Sequence, residues 1–439
     1  MNEFIYAFAS LAARCEGGET CIHGMRRLAA ALHPHGVKIT WLLSAESAAS
    51  AAAQLTEWHN ACGDDAGIVP PEPWTGAFGL SLDEKVARLG AARDAVRRAL
   101  PWAEAVITAG HTDPDMARVC NALGFEGIWG YCWEQIEVDQ ITDRGCPWGL
   151  FYVDPTDRLR PAKHRSAVAL EWTARDLLKS YHSGNPCLYS TDPNDVARGG
   201  LCAWDRIDYW RALADNYIRN ARYNRQVFFV QHQEAHEMER HPGWLCYTDE
   251  DIHEAVVMLE AFVKHIRPRA RMMTLAEAAR AYRAANERTA SSYMLWEDAA
   301  HARPNPDYAW NTCPGPWPKT FFFYDCDAQM AFVDGQAQPR MLRNYRRPWD
   351  DTQFFAQPCI PRPKLVRNTQ YAWSREIEIA VNSPVPMPYG VALWGDFSLY
   401  QVEESPGLIE GKILPHELLF LRFDLKEGAN RITVRLIGK

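Results

Sequence analysis

The chain has 439 residues, of which 47% are hydrophobic and 23% charged, which excludes a disordered polymer and predicts more than one packed core. A net charge of −8 with no Lys/Arg-rich run gives nucleic acid no electrostatic handle. No apolar stretch reaches the about 18 residues of a membrane helix, and "MNEFIYAFAS" enters a strand-like run without a signal peptide's basic start, so no membrane association and a cytoplasmic protein are expected.

In chain order, "FIYAFASLA" reads as a strand and "GMRRLAAAL" as a helix; "VKITWLLS" and "AAAQLTEWHNAC" repeat the alternation, and "AGIVPP" adds a third strand. "SLDEKVARLGAARDAVRRAL" is a long helix with a start signal at Ser81. "AEAVITAG" is a fourth strand, followed by the helix "DPDMARVCNALG" with Pro in its first turn and Gly past its end. Further strands are "FEGIWGYCW", "WGLFYVD", "SAVALEW", "QVFFVQHQ" and "RARMMTL". The helices "DRIDYWRALADNYIRNARY", "TDEDIHEAVVMLEAFVKHI" and "LAEAARAYRAANERT" fall among or after the later strands. Repeated strand–helix units predict a parallel sheet closed into a (β/α) barrel of 7–8 strands, spanning residues 1–302. From Arg303 the texture changes to a linker rich in Pro and aromatics, "RPNPDYAWNTCPGPWPK". Strand-like runs without strong helices then predict an all-β sandwich over 303–439, whose aromatic content is compatible with a homodimer.

The 12 Cys include no Cys-x-x-Cys pair, so neither a zinc ribbon nor a disulfide framework is expected. The 17 Trp fit cleft walls that stack on sugar rings, and equally fit large aromatic cores. Three stretches, "LHPHGVKITWLLS", "LTEWHNACGDDAGIV" and "HTDPDMARVCNALGFEGIWGY", together with the closing "MMTLAEAARAY", resemble the polysaccharide deacetylase superfamily. That resemblance implies a distorted (β/α) barrel and chemistry on a glycan. It also implies paired Asp after the first strand and two His after the third, where this chain has "FASLAARCEGGE" and "IVPPEPW". With those ligands missing, metal-dependent deacetylation through the family's positions is not expected. The inverting sialidase family is similar in theme, joining such a barrel to a C-terminal β domain, and implies metal-free catalysis. The ending "DLKEGANRITVRLIG" resembles the closing hairpin of jelly-roll modules attached to glycoside hydrolases.

In parallel barrels the reacting groups sit at the C-terminal ends of strands. Those ends offer His111, Glu134 and Glu234 as candidate acid/base catalysts. Candidate substrate contacts are Arg14, Asp113, Trp133, Gln135, Glu171, Arg198, Gln231, His232 and His236, and the loop that carries Arg198 also offers Asp192 and Asp195. Glu134 follows Trp133, and a carboxyl beside an indole is one whose raised pKa favours a general acid. Asp113 precedes Pro114 at a helix start, where N-capping explains it without chemistry. Arg14 and Arg198 suit a bidentate grip on an acidic sugar. In "VFFVQHQEAHEMERH" the spacing brings His232 and His236 together whether strand or helix continues, but the His-Glu-x-x-His pattern of zinc proteases is absent. The sequence thus predicts a glycan-active hydrolase that cleaves a terminal glycosidic bond, of exo-sialidase type, with an oligosaccharide or glycoconjugate substrate, no metal and no cofactor. The alternatives are a metal-dependent carbohydrate de-N- or O-acetylase using His232 and His236, and a non-catalytic glycan-binding protein.

Overall fold

The computed structural model describes residues 3–12, 21–71, 80–110, 113, 115–131, 150–174, 190–198, 200–221, 224–240, 247–290, 322–325, 330–333, 362–383, 385–394, 397–414 and 418–439. Strand β1 (Glu3–Ala12) opens the chain and is buried along almost its whole length. It sends Phe4, Tyr6 and Phe8 into one apolar layer and Ile5, Ala7 and Ala9 into another. A strand apolar on both faces needs cover on both, which is the demand that parallel sheets satisfy with helices.

The units that follow are α1 (Ile22–Leu32), β2 (Ile39–Leu43), α2 (Ala45–Ser50), α3 (Ala52–Cys62), β3 (Asp65–Ile68), α4 (Leu82–Ala99), β4 (Ile107–Ala109), α5 (Met116–Leu123) and β5 (Gly127–Tyr131). After them come β6 (Phe151–Asp154), β7 (Asp157–Pro161), β8 (Val168–Glu171), α6 (Pro193–Arg198), α7 (Asp208–Asn220), β9 (Gln226–His232), α8 (Asp249–Ile266), β10 (Arg271–Met273) and α9 (Leu275–Ala285). The helix starts are written locally. Ser81, Thr248 and Thr274 each accept from the backbone of the acid three residues on, and that acid's side chain accepts from the cap in return. Helix α8 shows the packing logic: Ile252, Ala255, Met258, Leu259, Phe262, Val263 and Ile266 are buried at three- and four-residue spacing against the sheet.

β1 is the hub. It pairs in parallel with β9 on one edge and, on the other, with β10 through Ile5–Ala7 and with β2 through Phe8–Ala12. The parallel ladder then runs through β3, β4, β5 and β8. One backbone bond, Ala174 N–H to Val230 O at 2.6 Å, links the segment after β8 to β9. The result is a mostly parallel central sheet, one face of which packs Ile5, Ala9, Trp129, Leu170, Trp172 and Val230 into an apolar layer shared with Leu275, Ala278 and Ala279 of α9. The stretch "WGLFYVD" departs from the parallel expectation. β6 runs antiparallel to both β8 and β7, as a short hairpin return permits where no helix crosses over.

The C-terminal strands are β11 (Phe322–Asp325), β12 (Met330–Val333), β13 (Arg362–Gln370), β14 (Ser374–Ser383), β15 (Met387–Trp394), β16 (Tyr400–Val402), β17 (Leu408–Leu414), β18 (Leu418–Leu425) and β19 (Gly428–Gly438). They form two separate antiparallel sheets, ordered β12-β11-β15-β18-β17 and β13-β14-β19-β16. β13 and β17 were not foreseen from the sequence. β17 is 'LIEGKIL', which mixes charge with apolar residues on an edge strand, and its signal is weak. The final turn is built by Gly428, at φ 85°, and Asn430, whose amide bonds Lys426 O at 2.8 Å and Gly428 O at 2.9 Å. The stretch read as an interdomain linker lies outside the described residues.

Candidate functional site

β9 ends in the interior. By strand alternation Gln231 turns toward the helix layer, where its Oε1 accepts from Tyr6 Oη at 2.7 Å and its Nε2 donates to Thr191 O at 2.9 Å. His232 turns the opposite way, and its ring lies 4.4 Å from that of Trp172 and 5.7 Å from that of Trp129. Trp129 is itself held by a bond from its Nε1 to Trp172 O at 3.1 Å. His232 is completely buried.

Two buried carboxyls meet that imidazole. His232 Nε2 stands 3.6 Å from Asp192 Oδ2 and 3.5 Å from Glu234 Oε2, and one donor atom from each of the three residues lies within 4.8 Å of the others. Asp192 is aimed by its own turn. Its Oδ1 accepts from the backbone N–H of Asn194 at 2.8 Å and of Asp195 at 3.2 Å, which leaves Oδ2 toward the histidine. Burial, reinforced by the neighbouring Asp195 charge, pushes the Asp192 carboxyl up to about 7.

The segments that present these groups are tied down from several sides. The hydroxyls of Thr173 and Thr191 are 2.6 Å apart, and Thr191 Oγ1 donates to Ala174 O, which knits the Asp192 turn to the end of β8. After Glu234 the chain makes a 3-10 turn, Ala235–Met238, pressed against α1. Gly24 makes that approach possible: a Cβ there would stand 1.7 Å from Ala235 O. Gly24 N–H donates to the buried Glu239 at 2.7 Å, and Arg27 donates to Met238 O at 2.7 Å.

Of the residues offered by the sequence, the structure brings together His232, Glu234 and Asp192, the last of which was noted in its loop but given no role, whereas His236 does not join them. His236 sits half-buried in the 3-10 turn. Gln231 spends both ends of its amide inside the protein, behind the site. Asp113 bonds Lys85 Nζ at 2.9 Å and the backbone N–H of Asp115 at 2.8 Å, a brace between α4 and the start of α5. Glu171 is half-buried as the last residue of β8, and Arg198 is the last residue of α6. Arg14, His111, Trp133, Glu134 and Gln135 lie outside the described residues. The sequence reading passed over Gln233, Asn194, Glu237 and Tyr247, whose signal is an ordinary polar run; only the fold shows that they share one hydrogen-bond network.

No family model matches the chain, and no curated protein matches it. Solved structures do. A protein from Mycobacterium smegmatis assigned as a polysaccharide deacetylase is 12% identical, over 65% of this chain and 91% of its own, at a TM-score of 0.40. A peptidoglycan deacetylase from Bacillus subtilis is 8% identical, over 65% of this chain and 95% of its own, at 0.30. A 4-alpha-glucanotransferase from Thermococcus litoralis covers 100% of both chains at 8% identity and 0.37. The thematic similarity to inverting sialidases gains no support from these structures.

Proposed function

We propose that the chain is a carbohydrate-active hydrolase of the deacetylase type, in which Asp192, His232 and Glu234 hold a divalent cation. The observation that carries this reading is the meeting of one imidazole and two carboxyls, all buried, at the C-terminal end of the parallel sheet. The donor set fits a cation. Ligands about 2.1 Å from a tetrahedral ion stand about 3.4 Å apart, and the two distances from His232 are 3.5 and 3.6 Å. Two acids buried side by side repel each other when ionised, a cost that a cation between them removes.

Held by Asp192, His232 and Glu234, a cation would supply the Lewis acidity that acyl hydrolysis needs. The chain's own groups do the rest. Trp172 and Trp129 wall the imidazole and keep bulk water from it, which strengthens every charge interaction inside. The Asp192 turn keeps one oxygen committed to backbone N–H groups and the other turned to the site. The substrate class is an N- or O-acetylated glycan, whose acetyl group is what such a cation site would act on.

Elemental analysis of untagged protein, with acetate release measured from a panel of acetylated oligosaccharides, tests the reading. The expected result is near-stoichiometric transition metal, together with acetate release that stops on chelation and returns with zinc or cobalt. Metal-free protein that cleaves an aryl glycoside regardless of chelator overturns it in favour of acid/base glycosidic hydrolysis.

A further inference from the structure

Among the described residues, hydrogen bonds hold the Asp192 turn against the end of β9, and one carboxylate joins the two from behind. Glu237 Oε2 accepts from Asn194 Nδ2 at 2.9 Å and from Gln233 Nε2 at 2.7 Å. Its Oε1 accepts from Tyr247 Oη at 3.2 Å. Asn194 is two residues from Asp192, and its backbone N–H already holds the Asp192 carboxyl. Gln233 lies between His232 and Glu234, and its backbone N–H donates to Ala9 O at 3.3 Å on the hub strand. Tyr247 precedes the cap of α8. Glu237 therefore touches all three supporting segments at once.

We infer that Glu237 is a positioning residue that sets the separation of Asp192 from His232 and Glu234, and so the affinity of the site for a divalent cation. This rests on the metal-binding reading above. The physical reason is that a donor set binds well only when it is held at ligand spacing before the ion arrives, and outer partners supply that order. A carboxylate suits the role better than an amide, because it accepts from two side-chain NH2 groups and a phenol without offering a competing donor. Replacing it by glutamine puts an NH2 group where Asn194, Gln233 or Tyr247 now donates, so one segment is released.

The test uses the full chain and cobalt(II) alone as probe, following the visible absorption of the bound ion and its dissociation constant, with circular dichroism as the folding check. Glu237→Gln is expected to weaken cobalt binding by about tenfold and to shift the absorption bands. Asn194→Ala is expected to do the same, and the double variant to lose no more than either single one, because both remove the same link. Where Glu237→Gln fails to fold, Asn194→Ala carries the test, since it leaves the carboxylate in place. Wild-type uptake of cobalt with variant affinities within twofold and unchanged bands overturns the inference and leaves the functional reading standing. Fully additive losses overturn it too. A wild-type chain that takes up no cobalt overturns both.

Discussion

At the N-terminal ends of the parallel strands, cations and acids pair in water. Lys38 pairs with Glu277 at 2.7 Å, Arg271 with Glu3 at 3.0 Å, and Arg280 with both Glu104 and Glu126. The fully buried Asp64 there accepts from Ile39 N–H, Trp41 Nε1 and His33. At the C-terminal ends, Asp192, Glu234 and His232 are buried together, with two acids for one imidazole. An open cleft of about 460 Å³ lies at the balanced end, among Lys38, Arg225, Arg271, Glu277 and Arg280, and its cations are already engaged. The difference teaches that burial, not charge alone, separates the two ends: one set of pairs stands in water, while the other cluster is where the proposed cation would replace lost hydration.

The sharpest way to break the contrast is to neutralise the two buried acids. Asp192→Asn with Glu234→Gln is expected to lower turnover by at least about a thousandfold, yet to leave the metal-free protein as stable as the parent or more so, because two buried acids become neutral. A urea titration of chelated protein beside an activity assay checks both halves; a large loss of stability would show that the cluster is structural.

Next in size is a buried group at the same end whose ion pairs are closed within the protein. Lys85 is 2% exposed and lies 2.9 Å from Asp113 and 2.7 Å from Asp115. Lys85→Met strands the buried Asp113 charge and is expected to cost about 3 kcal/mol, read as a lower urea midpoint with little change in metal affinity. That pair of results would separate bracing from chemistry within one end of the sheet.

A smaller effect belongs to Asp65 at the opposite end. Burial is the main cause that pushes its carboxyl up to about 6, with Glu104 adding to the shift and the Ala66 N–H opposing it. In the unfolded chain it titrates near 3.9, so the folded protein holds the proton more tightly. The stability this residue contributes is complete below about pH 4 and is lost as the pH rises toward about 6. Asp65→Asn should match the parent at pH 4 and exceed it by roughly 1–2 kcal/mol above pH 6.5. Parallel pH profiles of the melting temperature would settle it, and identical profiles would refute the buried-acid account. The smallest change is expected from Arg271→Ala, which removes an exposed pair with Glu3 worth under about 1 kcal/mol.

Much of the fold is legible locally. The capping boxes at Ser81, Thr248 and Thr274 and the three- and four-residue periodicity of α8 specify helices without reference to anything distant, because their donors and apolar stripes lie within one or two turns. The two-sided apolar run of β1 likewise announces a strand covered on both faces. The antiparallel turn of β6 was not legible, since an apolar run carries no sign of its direction. Within the site, "VQHQE" marked His232 and Glu234 because period two brings residues 232 and 234 to one face.

Asp192 is 40 residues from His232 in the chain, and nothing in "STDPND" distinguishes a ligand from the turn-forming acid that it also is. Only the pairing of β9 with β1, and the threonine contacts that fold the turn over the end of β8, bring the two within 3.6 Å. The same closure gives Gln231 and His232 opposite fates. Neighbours in sequence, they point to opposite faces of one strand, and the sheet decides which face is the inside. The sequence by itself determined most of the elements and the presence of a titratable strand end, because those depend on neighbours along the chain. Tertiary structure alone decided which acid joins the histidine and which residues merely hold it there, because that depends on strand order and on contacts across the sheet.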